Sequence, residues 1–131
     1  MPFLRVDVSS AEPVFAQIVL GVKRAVATGR LRVGDRLPSV RELARELVLN
    51  PNTVAKAYQV LEADRITTSR RGAGTFVARH RPVLKSAERR RRFRKALDEA
   101  LADAVNLGIG VEEARKVFEG ALRRFHFEEQ T

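Results

Sequence analysis

Ser39-Val40-Arg41-Glu42-Leu43-Ala44-Arg45-Glu46-Leu47-Val48-Leu49-Asn50-Pro51-Asn52-Thr53-Val54-Ala55-Lys56-Ala57-Tyr58 reads as two short helices joined by a tight connection. Ser39 with Glu42 three residues on makes a capping box, in which the hydroxyl accepts from the N3 amide and the carboxylate reaches back to the cap amide. Val40, Leu43, Ala44 and Leu47 then share one face, which predicts a helix over about 39–47. Leu49 to Thr53 interrupts the pattern. Asn50 as cap and Pro51 at N1 start another helix, with Val54, Ala57, Tyr58 and Leu61 on its apolar face. Two helices joined so closely must cross steeply, which is the helix-turn-helix arrangement.

Upstream, Pro13 suits a helical N1 after Ser9-Ser10, and Phe15, Ile18, Val22, Ala25 and Val26 recur at helical spacing until Gly29, predicting a helix over about 13–28. Gly34-Asp35-Arg36-Leu37-Pro38 is turn chemistry. Downstream, Ile66-Thr67-Thr68-Ser69 and Thr75-Phe76-Val77-Ala78 flank Arg70-Arg71-Gly72-Ala73-Gly74, a hairpin with a basic, glycine-rich tip. Helix, helix-turn-helix and hairpin in this order predict a winged helix-turn-helix domain.

The composition breaks at Arg79-His80-Arg81-Pro82, beyond which the pattern is helical over about 84–107 and 111–125, separated by Gly108-Ile109-Gly110. The first helix carries Phe93, Leu97, Ala100, Leu101, Ala104 and Leu107. The second carries Val111, Ala114, Val117, Phe118, Ala121, Leu122 and Phe125. The two stripes bury some area against each other, but a two-helix hairpin cannot cover them both. The surplus predicts a partner subunit, with Phe93, Leu97, Leu101, Val117, Phe118, Leu122 and Phe125 as its contacts. The expected fold class is therefore mostly α with a small β-hairpin wing. Residues 1–81 form the winged domain and residues 82–131 a two-helix dimerisation region.

The chain has 131 residues, 25 Lys or Arg against 16 Asp or Glu, and a formal net charge of +9, so it should seek a polyanion. That charge is uneven: +7 over residues 1–81, +6 over 85–95, and −4 over 96–131. The acidic balance of the last third argues against a chain that coats nucleic acid uniformly. The length rules out a large multi-layer enzyme. Zero cysteines remove disulfides and thiolate zinc sites and suit a reducing compartment. No stretch reads as an export signal or approaches the roughly 20 apolar residues of a membrane span, so a cytoplasmic location is expected.

The helix starting at Pro51 presents Asn52, Thr53, Lys56 and Gln59 away from its apolar face, and the first turn of such a helix enters the major groove. The Asn52 amide matches adenine N6 and N7, and Thr53 suits a base edge or a thymine methyl. Arg41 suits guanine O6 and N7, or a phosphate. Arg71 and Gly72 at the wing tip, with Arg70, suit a minor groove, where negative potential favours arginine. Ser39, Lys56, Tyr58, Gly74 and Thr75 are expected to position phosphates, with core packing and a surface hydroxyl as the alternative for Tyr58 on its largely apolar face. The basic run from Lys85 to Lys95 is either a solvated helix face or a contact to flanking DNA.

The competing reading is a non-specific nucleoid or RNA-binding protein, but seven Phe and one Tyr, mostly on apolar stripes, offer few stacking platforms. No Ser-His-Asp set, phosphate loop or paired carboxylates point to an enzyme. His80 reads as a linker residue, and His126 with Glu128 would make only a weak metal site, so no metal or cofactor is expected.

Pro13-Val14-Phe15-Ala16-Gln17-Ile18, Ala27-Thr28-Gly29-Arg30-Leu31, Gly34 to Ala44, Asn50-Pro51-Asn52-Thr53-Val54, Ala57-Tyr58, Leu61-Glu62 and Arg71-Gly72-Ala73-Gly74-Thr75-Phe76-Val77 together closely resemble the N-terminal domain of GntR-family transcription regulators, over about residues 11–79. The short remainder looks like that of the YtrA subfamily. The resemblance implies a homodimer that binds an inverted-repeat, palindromic operator as a repressor and is released by a small-molecule effector. It places DNA-contacting roles on Arg41, Asn52, Thr53, Arg71 and Gly72, with Ser39, Lys56 and Tyr58 on phosphates. No aminotransferase-like extension is expected, hence no pyridoxal phosphate. One departure stands out: Arg65 occupies the position after the recognition helix where the family usually has Gly, and a left-handed conformation there would cost a non-Gly residue about 1–2 kcal/mol.

Overall fold

A computed structural model describes residues 1, 3–79 and 84–127. They fall into two compact units, one of residues 1–79 with 126–127 and the other of residues 84–125. The composition break at 80–82 and Glu128 lie outside the described residues.

In the first unit, helix α1 (Val14–Ala27) buries Ile18, Val19, Val22 and Ala25. Pro13 is its N-cap, one position earlier than expected, because its extended ψ of 143° keeps it outside the helical turn. Helix α2 (Val40–Leu47) starts in the capping box: the Glu42 amide donates to Ser39 Oγ at 3.1 Å and the Ser39 amide to Glu42 Oε1 at 3.4 Å. These bonds from Ser39 hold the Glu42 carboxyl below its ordinary range. The depressed carboxyl supports the box above its unfolded pKa, and that support is lost as pH falls through the folded value. Helix α3 (Pro51–Ala63) has Pro51 at N1, while Asn50 Oδ1 accepts from the Asn52 amide at 2.8 Å.

Both helices of the pair end in the same way. The Leu49 amide donates to Ala44 O at 2.8 Å around Val48, and the Ile66 amide to Leu61 O at 2.9 Å around Arg65. This closure requires a left-handed residue, and the chain uses Val48 at φ 55° and Arg65 at φ 60°. The missing glycine at 65 thus leaves the helix-end geometry intact and stores strain in it. Arg65→Gly should stabilise the fold by about 1 kcal/mol. The expected observation is a higher urea midpoint at unchanged m-value; an unchanged midpoint would show that Arg65 is unstrained.

Strands β1 (Thr67–Arg70) and β2 (Gly74–Val77) pair antiparallel, Thr67 opposite Val77 and Arg70 opposite Gly74. The Gly34–Leu37 segment, expected only as a turn, also pairs with the hairpin: the Leu37 amide donates to Thr75 O and the Val77 amide to Asp35 O, each at 2.8 Å, with Arg36 bridged to Phe76. The wing is thereby joined to the segment that leads into α2. Ile18, Val22, Leu37, Leu43, Val54, Leu61 and Val77 are fully buried where α1, α2, α3 and the hairpin meet. Each of the larger ones contributes about 1.5–3 kcal/mol through burial. Leu4, ahead of any expected element, also joins this core and lies against Gly21, where a Cβ would collide with its side chain.

In the second unit, α4 (Ser86–Asn106) and α5 (Val111–Arg124) are separated by Gly108, which takes φ 75°. Neither helix buries a single residue. On the two stripes, small residues such as Ala104, Ala114 and Ala121 are half-buried. Phe93 is 63 % exposed, and Leu101, Val117, Phe118 and Leu122 are exposed with it, while Leu97 and Phe125 are half-buried. The same unit carries the arginine cluster. Glu88 takes Arg91 at 2.7 Å and Arg92 at 3.2 Å, and hydrogen bonds from these two guanidiniums pull its carboxyl down to about 2. Part of the basic run is therefore neutralised locally. No helix among the described residues is long and apolar enough to cross a membrane.

Candidate nucleic-acid interface

The first turn of α3 is built so that its main chain is satisfied and its side chains are not. Asn50 occupies the Asn52 amide through its side chain and the Thr53 amide through its carbonyl, at 2.8 and 3.0 Å. The Asn52 side-chain amide makes no hydrogen bond among the described residues, and it is exposed beside Lys56 and Gln59, with Thr53 half-buried. Arg41, exposed on α2, has no ion pair among the described residues. It lines one groove together with Pro51, so the α2 face adjoins the start of α3. Ser39 uses its oxygen as an acceptor in the capping box, which leaves the hydroxyl proton available to a phosphate.

Three other expected contacts turn out to be held by neighbours. The Lys56 ammonium lies 4.0 Å from the centroid of the Phe15 ring, so α1 orients a charge carried by α3. The Arg70 guanidinium lies 4.6 Å from the Phe76 centroid, flat on the wing. Tyr58 takes the core-packing alternative in the free chain. Expected as a phosphate contact, it is only 8 % exposed, and its hydroxyl donates to Pro38 O at 2.7 Å. A phosphate offers only acceptors, and the single hydroxyl proton is already committed; burial also pushes the phenol well above its ordinary pKa. Tyr58 anchors the Pro38 turn ahead of α2.

At the wing tip, Arg71 and Gly72 are exposed, and Gly72 takes φ 78° with open space around its Cα, so conformation alone demands glycine there. Gly74 is constrained twice, by φ 119° and by the Arg36 side chain, whose Nε would stand 3.0 Å from a Cβ at that position. Arg36 also reaches Glu42 Oε1 at 3.8 Å. It thus connects the wing to the capping box of α2, a role its place in a turn motif did not announce. Thr75 is half-buried and uses its carbonyl to hold Leu37.

His126 lies apart from these groups. Its amide donates to Ala27 O at 2.6 Å, and its imidazole fills the space that a side chain at Gly29 would need. Among the described residues no cluster of three His, Asp or Glu side chains could hold a metal ion.

Residues 15–77 match the family described as bacterial regulatory proteins, gntR family. The chain is 34 % identical over 109 residues to the HTH-type transcriptional repressor YtrA of Bacillus subtilis (strain 168), covering 83 % of this chain and 84 % of that one. It is similar in structure to a transcriptional antiterminator from Listeria monocytogenes EGD-e, with a TM-score of 0.75, 33 % identity, and coverage of 97 % and 96 % of the two chains. It is also similar to AraR(DBD) in complex with operator ORX1, with a TM-score of 0.53, 25 % identity, and coverage of 57 % of this chain and 96 % of that one. Uncommitted side-chain donors at the start of a second helix, a basic wing and these likenesses converge: the chain belongs to the GntR family, as a YtrA-like DNA-binding transcription regulator and not an enzyme.

Proposed function

We propose that the protein is a homodimeric, cytoplasmic repressor of its own operon, which places two α3 helices in successive major grooves of an inverted-repeat operator. In this reading residues 1–81 read DNA and residues 82–131 assemble the dimer. Arg41, Asn52 and Thr53 read bases, Arg71 and Gly72 enter the minor groove, and Ser39, Lys56, Arg70, Gly74 and Thr75 position the backbone. The observation that carries the proposal is the exposed Asn52 amide in the first turn of α3, a helix start whose Pro51 shares a groove with an Arg41 that has no carboxylate partner among the described residues. Donors left unpaired on a helix start match the edges of a duplex. A footprint on the promoter of the protein's own operon should protect half-sites about one helical turn apart. Equal affinity for a scrambled duplex of the same length would overturn the proposal.

Lys56 supplies a test of the division of labour. Lys56→Ala should weaken operator and scrambled duplex by the same factor and reduce the slope of log K against log salt by about 0.9 for each phosphate it no longer neutralises. A weakening confined to the operator would make Lys56 a base reader instead.

A further inference from the structure

Val48 occupies a position from which the fold gains no burial. It is the left-handed residue that ends α2, at φ 55° and ψ 55°, and it is 89 % exposed. Branching at Cβ makes that conformation an outlier. The same chain places glycine at positive φ after α1 and α4, at Gly29 and Gly108, and Arg65 at the corresponding turn after α3. Unlike Arg65, which carries a solvated charge, Val48 holds an exposed apolar side chain in that conformation, a surface that a partner's contact would cover.

The surroundings indicate which partner. Val48 lines an open groove of about 580 Å³ with Arg41, Ala44, Arg45, Leu49 and Pro51. Arg41 and Arg45 are four residues apart and share one face of α2. Neither forms an ion pair among the described residues, whereas Arg36, Arg91 and Arg92 each face a carboxylate. The groove thus has a cationic wall, an apolar floor and no acidic residue among those described that line it. A deoxyribose-phosphate strand has the matching chemistry: phosphate oxygens accept from guanidinium, and the sugar offers a C–H face.

We propose that this groove seats a stretch of the operator backbone, with Arg45 bonding a phosphate and the Val48 isopropyl group packed on a neighbouring deoxyribose. The proposal rests on the duplex-binding reading above and adds two affinity determinants to it. A stiff, β-branched side chain held in one conformation is a pre-organised contact, which accounts for a valine where glycine would be relaxed.

The test uses the full chain, the footprinted operator duplex and thermal unfolding of the free protein. Val48→Gly should raise the Tm by several degrees, because glycine adopts φ 55° freely, yet weaken operator binding about three- to tenfold, the range for uncovering one or two methyl groups. Val48→Ala, which keeps a Cβ in the turn, should weaken binding by a similar factor. Arg45→Ala should reduce the slope of log K against log salt by about 0.9. Wild-type affinity in both Val48 variants, or an unchanged slope for Arg45→Ala, would overturn the proposal. Asn52→Ala separates the two levels: if it also binds as wild type, the duplex-facing reading fails, and if it alone is impaired, only the groove assignment fails.

Discussion

Asn52→Ala and Arg41→Ala should each cost about 1–3 kcal/mol of operator affinity per half-site, roughly 10- to 100-fold, and each should relax base preference at one position of the half-site. The size follows from what each side chain leaves behind. A bidentate contact to a base edge is made in a groove from which water is partly excluded, so its removal strands the base donor or acceptor as well as breaking the bond. The structure separates these two side chains from their neighbours. The amide of Asn52 is uncommitted among the described residues because Asn50 has already satisfied the main chain below it. Arg41 has no carboxylate competing for its guanidinium among the described residues, whereas the nearby Arg36 is drawn to Glu42. Selection of bound sequences from a randomised duplex pool gives the readout. Two variants that retain the parent preference at every position, with only a uniform fall in affinity, would mean that neither Asn52 nor Arg41 reads a base.

The features legible in the sequence are local ones. The capping box of Ser39 and Glu42, the Asn50 cap and the glycine-rich hairpin tip depend on residues within a turn of one another, and each is found where the residue types demand. Arg65 is legible as a strained helix end because glycine is expected there. Val48 plays the equivalent part at the end of α2 and is hidden, since a valine between Leu47 and Leu49 reads as a continuation of the apolar pattern. Contacts across long sequence separations are not legible. Nothing in Gly34–Leu37 signals that it pairs with the wing more than thirty residues later, that Lys56 will stack on Phe15, or that the Tyr58 hydroxyl will donate a hydrogen bond to Pro38 O. Such pairings are set by the packing of α1, α2 and α3 around a common core, and they decide which side chains remain free to meet DNA.

Replacing Phe118 and Leu101 by Asp should convert the protein to a monomer and lower operator affinity by about 10²- to 10⁴-fold, without touching a DNA-contacting residue. Both side chains are exposed on helices that bury nothing among the described residues, so the substitutions should leave the melting of the first unit unchanged. In a dimer they would place charge in an apolar interface, where an unpaired carboxylate is strongly disfavoured. The fall in affinity then has a purely geometric origin. One winged domain contacts a single half-site, while a second domain held nearby binds at an effective concentration near millimolar, far above that of free protein. Sedimentation and operator titration on the same samples test both halves of the argument. A monomer with wild-type affinity would show that a single half-site suffices, and a dimer that survives both substitutions would place the interface elsewhere than on the exposed stripes of α4 and α5.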